Sequence, residues 1–230
     1  PFVQNALFQA GQIYYSLGTG MRFPEDLNNT VSTLKQFVKY ADSKVFPASA
    51  DLNKNLVTVL TYMGSAYFEL GRLNLVEGEP PTAKSIAFFE QAAETFSNVV
   101  QRFPKEKDAP LWQYQAGESY YAAHNFPKAI AEYDKVRAVD PKHESAPESL
   151  AAISTCYTFL AEDTKDEATK TKWFAKVFDT NKILAQNYPN SPFAAEALIN
   201  VGNNYYNQGS ATQGDERIRL YGLAVENYRN

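Results

Sequence analysis

The sequence predicts an all-α fold in which about five helical hairpins follow one another along the chain. The main observation is a short motif, a small residue followed three positions later by tyrosine, that recurs five times. Apolar residues around the motif recur at helical spacing, and no strand-like alternation of polar and apolar residues competes with it. With 230 residues, 44% of them hydrophobic, the chain is long enough to bury a sizeable core.

The small residue of the motif is expected to mark the first helix of each hairpin. Its short side chain lets a facing helix approach closely, and the aromatic residue one turn later fills the space beside it. The copies lie 37 to 53 residues apart, as in an array of two-helix units. Their small residues are Gly11, Gly64, Gly117, Ser154 and Gly202.

The first two hairpins depart from a regular unit. The first keeps Gly18 and a closing Pro47, but its second helix is degenerate. The second has about sixteen extra residues after its Gly71 turn, so we expect an elongated hairpin. Its second helix is indicated by the correctly spaced residues Ala92, Phe96, Val99 and Pro104.

The third hairpin, Leu111 to Pro141, is the most regular. A break at His124-Asn125 separates its two helices, and Ala129 and Tyr133 follow at i and i+4. Asp140-Pro141 ends the unit, because proline cannot continue a helix.

Fewer signature residues indicate the last two hairpins. The fourth keeps Tyr157 and ends at Tyr188-Pro189, but it has Val177 and Asn181 where an alanine and an aromatic residue are expected. The fifth is indicated by Gly202, Tyr205, Gly209, Ala224 and Tyr228, after which the chain stops.

Helix starts and long turns complete the predicted layout. Ser145 with Glu148 indicates a capping box, and Ser191-Pro192 indicates an N-cap followed by proline at the first helical position. Extra residues between first and second helices predict either docking loops clustered along one edge or simply lengthened helices. These segments are Met21 to Thr30, Leu73 to Lys84, Glu162 to Lys172 and Ser210 to Glu216.

The third hairpin resembles the tetratricopeptide repeat (TPR) residue by residue. Its Ala116-Gly117, Tyr120, Ala129, Tyr133 and Pro141 match the family's signature small, aromatic and proline positions. The resemblance implies one right-handed superhelical solenoid over residues 1–230, with the first helices lining a concave groove. In that family the groove holds partner peptides, so the resemblance implies a non-catalytic scaffold for protein-protein interaction.

The same resemblance implies the groove positions, which lie three residues before, one after and four after each small residue. From these fifteen positions we expect twelve partner-binding residues: Phe8, Gln12, Tyr15, Ser65, Phe68, Tyr114, Glu118, Tyr121, Thr158, Ile199, Asn203 and Tyr206. The set holds neither Lys nor Arg, so the clamp with which chaperone-binding relatives hold a peptide's terminal carboxylate is absent. Its aromatic and neutral polar side chains suit an extended or helical apolar segment. We expect Tyr15, Phe68, Tyr121 and Tyr206 to share one continuous surface.

A second resemblance concerns the segment Asn187 to Tyr206, echoed at its start by Gln101 to Pro104. An aromatic-Pro junction, then Ser-Pro-aromatic-Ala and a Gly-x-x-Tyr helix, is similar to repeats of bacterial outer-membrane assembly lipoproteins and of the periplasmic coordinator of the Tol-Pal system. This resemblance implies a bacterial periplasmic or cell-envelope location, with the cytoplasm as the alternative. The missing initiator Met and the helical pattern at the chain's end indicate a piece of a longer protein, and no segment is apolar enough to predict a membrane span.

Residues with catalytic or ligand-binding chemistry are sparse. The two histidines, His124 and His143, lie in different turns and lack further metal-ligating residues at suitable spacing. Cys156 is expected to be a buried small hydrophobic residue rather than a nucleophile. A net charge of −4 without basic blocks disfavours nucleic acid. We therefore expect protein or peptide partners and no catalytic residue, metal or cofactor.

Two further functions stay open besides the groove-binding scaffold. One is an assembly subunit that docks into a larger complex through its edge or convex surface. The other is an accessory domain of an enzyme whose catalytic part lies outside this chain.

Overall fold

A computed structural model describes residues 2–43 and 50–229, which form ten α-helices and no β-strand. This confirms the predicted all-α class for the described residues. Pro47, expected to close the first hairpin, lies outside them. In chain order the helices are α1 (Phe2–Met21), α2 (Pro24–Asp42), α3 (Ala50–Leu73), α4 (Ala83–Arg102), α5 (Ala109–Ala122), α6 (Phe126–Val139), α7 (Ser145–Asp163), α8 (Glu167–Asn187), α9 (Ala194–Ser210) and α10 (Gly214–Arg229).

Most helices that are consecutive in the chain pack against each other. The most extensive pairs are α1 with α2, α3 with α4, α7 with α8 and α9 with α10. The chain divides into two compact units, residues 1–135 (unit 1) and residues 136–230 (unit 2). Within unit 1, α2 packs on α3 and α4 on α5, while within unit 2, α8 packs on α9. A single solenoid over the whole chain stays a prediction.

A glycine of the first helix faces a large side chain of the second helix in four of the hairpins. A β-carbon placed on Gly117 would lie 2.4 Å from Cδ1 of Tyr133, far inside the contact distance of two carbon atoms. Glycine is therefore what allows the two helices to approach this closely. The equivalent distances are 2.1 Å for Gly11 and Leu34, 2.8 Å for Gly64 and Phe96, and 2.5 Å for Gly202 and Tyr228.

A second contact of the same kind lies seven residues further along the first helix and seven residues earlier in the second. Gly71 faces Phe89, where an added β-carbon would lie 2.6 Å from the ring. The first and fifth hairpins repeat it, with 2.8 Å between an added β-carbon on Gly18 and Leu27, and 2.8 Å between one on Gly209 and Tyr221. Because the second contact lies later in the first helix and earlier in the second helix, the two helices are antiparallel.

The fourth hairpin replaces this packing by a buried hydrogen bond. Asn181 Nδ2 donates to Ser154 Oγ at 2.9 Å, and both residues are less than a tenth exposed. The same amide donates to the carbonyl of Val177 at 3.0 Å, so both of its hydrogens are used. The departure from the TPR pattern at Asn181 is therefore matched by the serine that stands in place of glycine.

Three of the four segments predicted to be extra turn residues are mostly helical. Only two residues, 22–23, join α1 to α2, and three residues join each of the pairs α7–α8 and α9–α10. Residues of these segments begin helices rather than form loops. Pro24 occupies the first turn of α2, and Asp166 caps α8 by accepting from the backbone N–H of Thr169 at 2.9 Å. Hydrogen bonds from the Thr169 side chain and backbone lower the pKa of Asp166.

The segment between α3 and α4 does form a long turn, residues 74–82. Thr82 ends it as the N-cap of α4, because its Oγ1 accepts from the backbone N–H of Ser85 at 3.1 Å. The second hairpin is thus elongated by a loop, as predicted.

Two predicted helix starts are displaced. Ser145 is the first residue of α7 and is buried, with its backbone N–H donating to Nδ1 of His143, so the capping box with Glu148 is wrong. Helix α9 begins at Ala194, and Ser191 instead accepts from the N–H of Phe193 in the preceding turn. The predicted helix ends are more accurate than the predicted starts. Helices α4, α6 and α8 end directly before Phe103-Pro104, Asp140-Pro141 and Tyr188-Pro189.

Candidate functional site

Unit 1 contains an open cavity of about 530 Å³ bordered mainly by its three first helices, α1, α3 and α5. Four of the predicted partner-binding residues line it together: Tyr15, Ser65, Phe68 and Glu118. The remaining lining residues are Thr19, Arg22, Glu69, Arg72, Phe96 and Gln115. We call this space the unit 1 groove.

The aromatic side chains of the unit 1 groove are held in place by neighbouring rings. Tyr15 stacks on Tyr62 of α3 with ring centroids 4.3 Å apart and an interplanar angle of 9°. Phe68 packs against Phe89 with centroids 5.3 Å apart. Both rings are half-buried, so their orientation is set by packing while part of each surface remains accessible.

Two arginines line the unit 1 groove, and neither lies at a position derived from the motif. Arg72 pairs with Glu69 at 3.0 Å, and Arg22 follows the end of α1 with φ of 56°. The predicted contact set holds neither Lys nor Arg, but the groove that four of its members line is also lined by these two arginines. The signal was present, because Arg72 lies one helical turn after Phe68 and shares its face.

Polar groups of the unit 1 groove differ in how they are satisfied. Glu118 accepts a hydrogen bond from the Tyr133 hydroxyl, so it serves the hairpin's own packing as well as the groove. Oε1 of Gln115, by contrast, is buried and accepts no hydrogen bond from the described residues.

Four other predicted residues of unit 1 are not among the residues that line this groove. Gln12 is half-buried in α1, and the three aromatic residues pack against rings of their own hairpins. These contacts are Phe8 with Phe37 at 6.1 Å, Tyr114 with Tyr133 at 5.4 Å, and Tyr121 with Phe126 at 5.7 Å between ring centroids. Of the aromatic residues expected to share one surface, Tyr15 and Phe68 meet in the groove and Tyr121 does not.

Unit 2 has its own cavity of about 610 Å³, bordered by α7, α8 and α9, which we call the unit 2 groove. The predicted residues Thr158 and Asn203 line it. Ile199 and Tyr206 of the same unit do not: Ile199 is 52% exposed, and Tyr206 stacks on Tyr221 with centroids 5.4 Å apart.

Asparagines dominate the α9 side of the unit 2 groove, and sequence reasoning identified only one of them. They are Asn200, Asn203, Asn204 and Asn207, at positions i, i+3, i+4 and i+7 on one helix face. Across the groove α7 and α8 contribute Phe159, Phe174 and Phe178. The spacing of the asparagines is readable in the sequence, but the TPR scheme selects one residue per turn and therefore passes over the others.

Residues suited to other chemistry stay apart. Among the described residues no three His, Cys, Asp or Glu side chains come together as a metal site. Cys156 is fully buried, as predicted. None of the described helices has both the length and the apolar character needed to cross a bilayer.

A comparison with models of known protein families finds no match to the chain, and neither does a comparison with curated proteins.

Proposed function

We propose that the chain is a non-catalytic TPR-type scaffold that binds a protein or peptide partner along the face formed by its first helices. The carrying observation is the unit 1 groove, where four predicted contact residues from three successive first helices line one cavity. The right-handed superhelix is part of this proposal. It is supported by the five motif copies and, within each unit, by hairpins that pack in chain order.

The lining of the unit 1 groove favours a peptide over a uniformly apolar ligand. It combines aromatic rings fixed by packing with Arg22, Arg72, Glu69 and Glu118, so both charges are present. Rigid aromatic surfaces and arginines are the side chains that dominate binding energy at protein interfaces. A partner segment with apolar and charged residues matches this combination.

An assembly subunit that docks through its edge is the second candidate, and one observation favours it. The loop 74–82 exposes two adjacent apolar side chains, Leu75 and Val76, at 43% and 49% of their surfaces, and a docking partner would cover them. An accessory domain of a larger enzyme remains the third candidate. For location we propose the bacterial periplasm or cell envelope, with the cytoplasm as the alternative, on the resemblance of the segment Asn187 to Tyr206.

Selection of a random peptide library displayed on phage, against the immobilised chain, tests the scaffold. Enriched peptides are then measured against Phe68→Ala and against a variant in which residues 74–82 are replaced by a four-residue turn. Loss of affinity in Phe68→Ala alone supports the groove, with an expected cost of about 1 to 4 kcal/mol for an anchor residue. Loss in the loop variant alone supports edge docking, and failure to enrich any peptide contradicts the proposal.

A further inference from the structure

Two asparagines that line the unit 2 groove have amide N–H groups available to an occupant. Tyr228 donates its hydroxyl to Oδ1 of Asn203 at 2.8 Å, and Gln208 donates to Oδ1 of Asn204 at 2.5 Å. Each of these amides therefore has an acceptor oxygen already engaged, and among the described residues neither amide donates a hydrogen bond through its two N–H groups. An occupant with carbonyl groups matches them.

The length of the asparagine row matches a short stretch of extended chain. Seven residues of α-helix separate Asn200 from Asn207, a rise of about 10 Å. An extended chain advances about 3.3 Å per residue, so about three peptide units lie alongside the row. Their backbone carbonyls are the acceptors that such a row of amide donors can bind.

The opposite wall of the groove suits an apolar side chain. Phe159 and Phe174 are about 40% and 39% exposed, although both line a cavity. Covering such exposed rings with an apolar group is favourable, by about 25 cal/mol for each Å² of apolar surface removed from water.

The charge of the groove is negative. Glu162 and Glu196 line it, and no Lys, Arg or His is among the residues that do. Complementary charge governs which partner is accepted more than how tightly it is held, so an occupant with lysine or arginine is favoured over an acidic one.

We infer that the unit 2 groove binds an extended, basic peptide segment. Its carbonyls accept hydrogen bonds from the α9 asparagines, one apolar side chain covers Phe159 and Phe174, and a neighbouring lysine or arginine lies near Glu162 and Glu196. The inference rests on the proposed scaffold function and specifies the partner chemistry for this groove.

An array of ten-residue peptides tests the inference with the full chain. Each peptide has one Leu, Ile, Phe or Tyr at its centre and Lys, Glu or Ser at the flanking positions, and the best binders are measured in solution by fluorescence anisotropy. We expect Lys-flanked peptides to bind more tightly than their Glu-flanked counterparts. Replacing both Glu162 and Glu196 by Gln should weaken the Lys-flanked peptides about 2- to 30-fold, since each exposed ion pair contributes about 0.2 to 1 kcal/mol.

Matched variants assign the effect to this groove. Asp163→Asn removes the same charge beside Glu162 at a residue that does not line the cavity, and it should leave affinity unchanged. Asn200→Ala with Asn207→Ala should weaken all peptides by a similar factor, whatever their charge, whereas Asn187→Ala at the end of α8 should not.

The outcomes separate this inference from the proposed function. Equal or tighter binding of Glu-flanked peptides overturns the basic partner, and unchanged affinity in the Asn200→Ala, Asn207→Ala variant overturns the backbone contact. If no array peptide binds while phage-selected peptides bind and depend on Phe68, the inference fails and the scaffold function stands. If neither kind binds, both fail.

Discussion

Replacing Gly117 by alanine is the most direct test of how the hairpins are held together. A β-carbon at this position would lie 2.4 Å from Cδ1 and 2.5 Å from Cε1 of Tyr133. Carbon atoms prefer separations of 3.5 to 4.0 Å, so the ring would have to move by about 1 Å or more. Tyr133 is fully buried and its hydroxyl is bonded to Glu118, which leaves it little freedom to move.

Two opposing effects set the magnitude. Alanine stabilises a helix interior by about 1 kcal/mol relative to glycine, while overpacking a core costs about 1 to 3 kcal/mol. Gly222 of α10 isolates the first effect, because a β-carbon there meets nothing within 4 Å. We therefore expect Gly222→Ala to be stabilising, and Gly117→Ala to be less stable than Gly222→Ala by about 1 to 3 kcal/mol.

Urea unfolding followed by far-ultraviolet circular dichroism measures both free energies of unfolding. A double-mutant cycle with Tyr133→Leu should show a coupling of about 0.5 to 3 kcal/mol, because the smaller side chain relieves the clash. If Gly117→Ala is stabilised as much as Gly222→Ala, the close approach of α5 and α6 does not depend on glycine and the reasoning is refuted.

Three further predictions concern single side chains. Ser154→Ala should lower the free energy of unfolding by about 1 to 3 kcal/mol in the same urea assay, because Asn181 loses a buried hydrogen-bond partner; a neutral result would contradict the role of this pair. Thr82→Ala should cost about 1 kcal/mol by removing the cap on Ser85, and Thr82→Ser, which keeps the oxygen, serves as its control. Burial, followed by the charges of Glu94, Glu132 and Glu90, raises the pKa of Tyr120, so the folded state holds this proton more tightly than the unfolded state. The stability that Tyr120 contributes is therefore complete below the unfolded tyrosine pKa of about 10 and is lost as pH rises above it. Between neutral and strongly alkaline pH, Tyr120→Phe should lose less stability than the wild type. Identical pH profiles of the two proteins would contradict this.

The sequence predicts the helices well because their signals are local. The positions of Gly117 and Tyr133, the break at His124 and the proline-bearing ends each depend on residues a few positions away, and the structure agrees with all of them. The displaced starts of α7 and α9 have another cause. The Ser191 hydroxyl accepts a hydrogen bond in the turn before α9 as well as it would at the cap, so the identity of the residue does not select between the two positions. Ser145 lies one residue inside α7, a shift within the one or two residues by which helix ends vary.

The candidate site is less predictable because it depends on which residues of different helices meet. Counting from the motif identified Tyr15 and Phe68 correctly as neighbours in one groove, but it also selected Tyr121, whose ring packs on Phe126 instead. Arg22 was missed for a different reason. It lies beyond the last turn of α1, where a left-handed backbone and not helical periodicity determines its position.

The small-to-large contacts of the four glycine-bearing hairpins span different lengths of chain, which affects the order in which the hairpins fold. Only 16 residues separate Gly117 from Tyr133, whereas 32 separate Gly64 from Phe96 across the loop 74–82. Because the entropy of loop closure grows with the logarithm of length, the third hairpin closes at a cost about 0.6 kcal/mol lower than the second. Contacts of such short range are typical of rapidly folding helical proteins, and they make α5 and α6 the expected nucleus. Gly117→Ala should then act mainly by slowing folding, while the same change at Gly64 should act mainly by speeding unfolding.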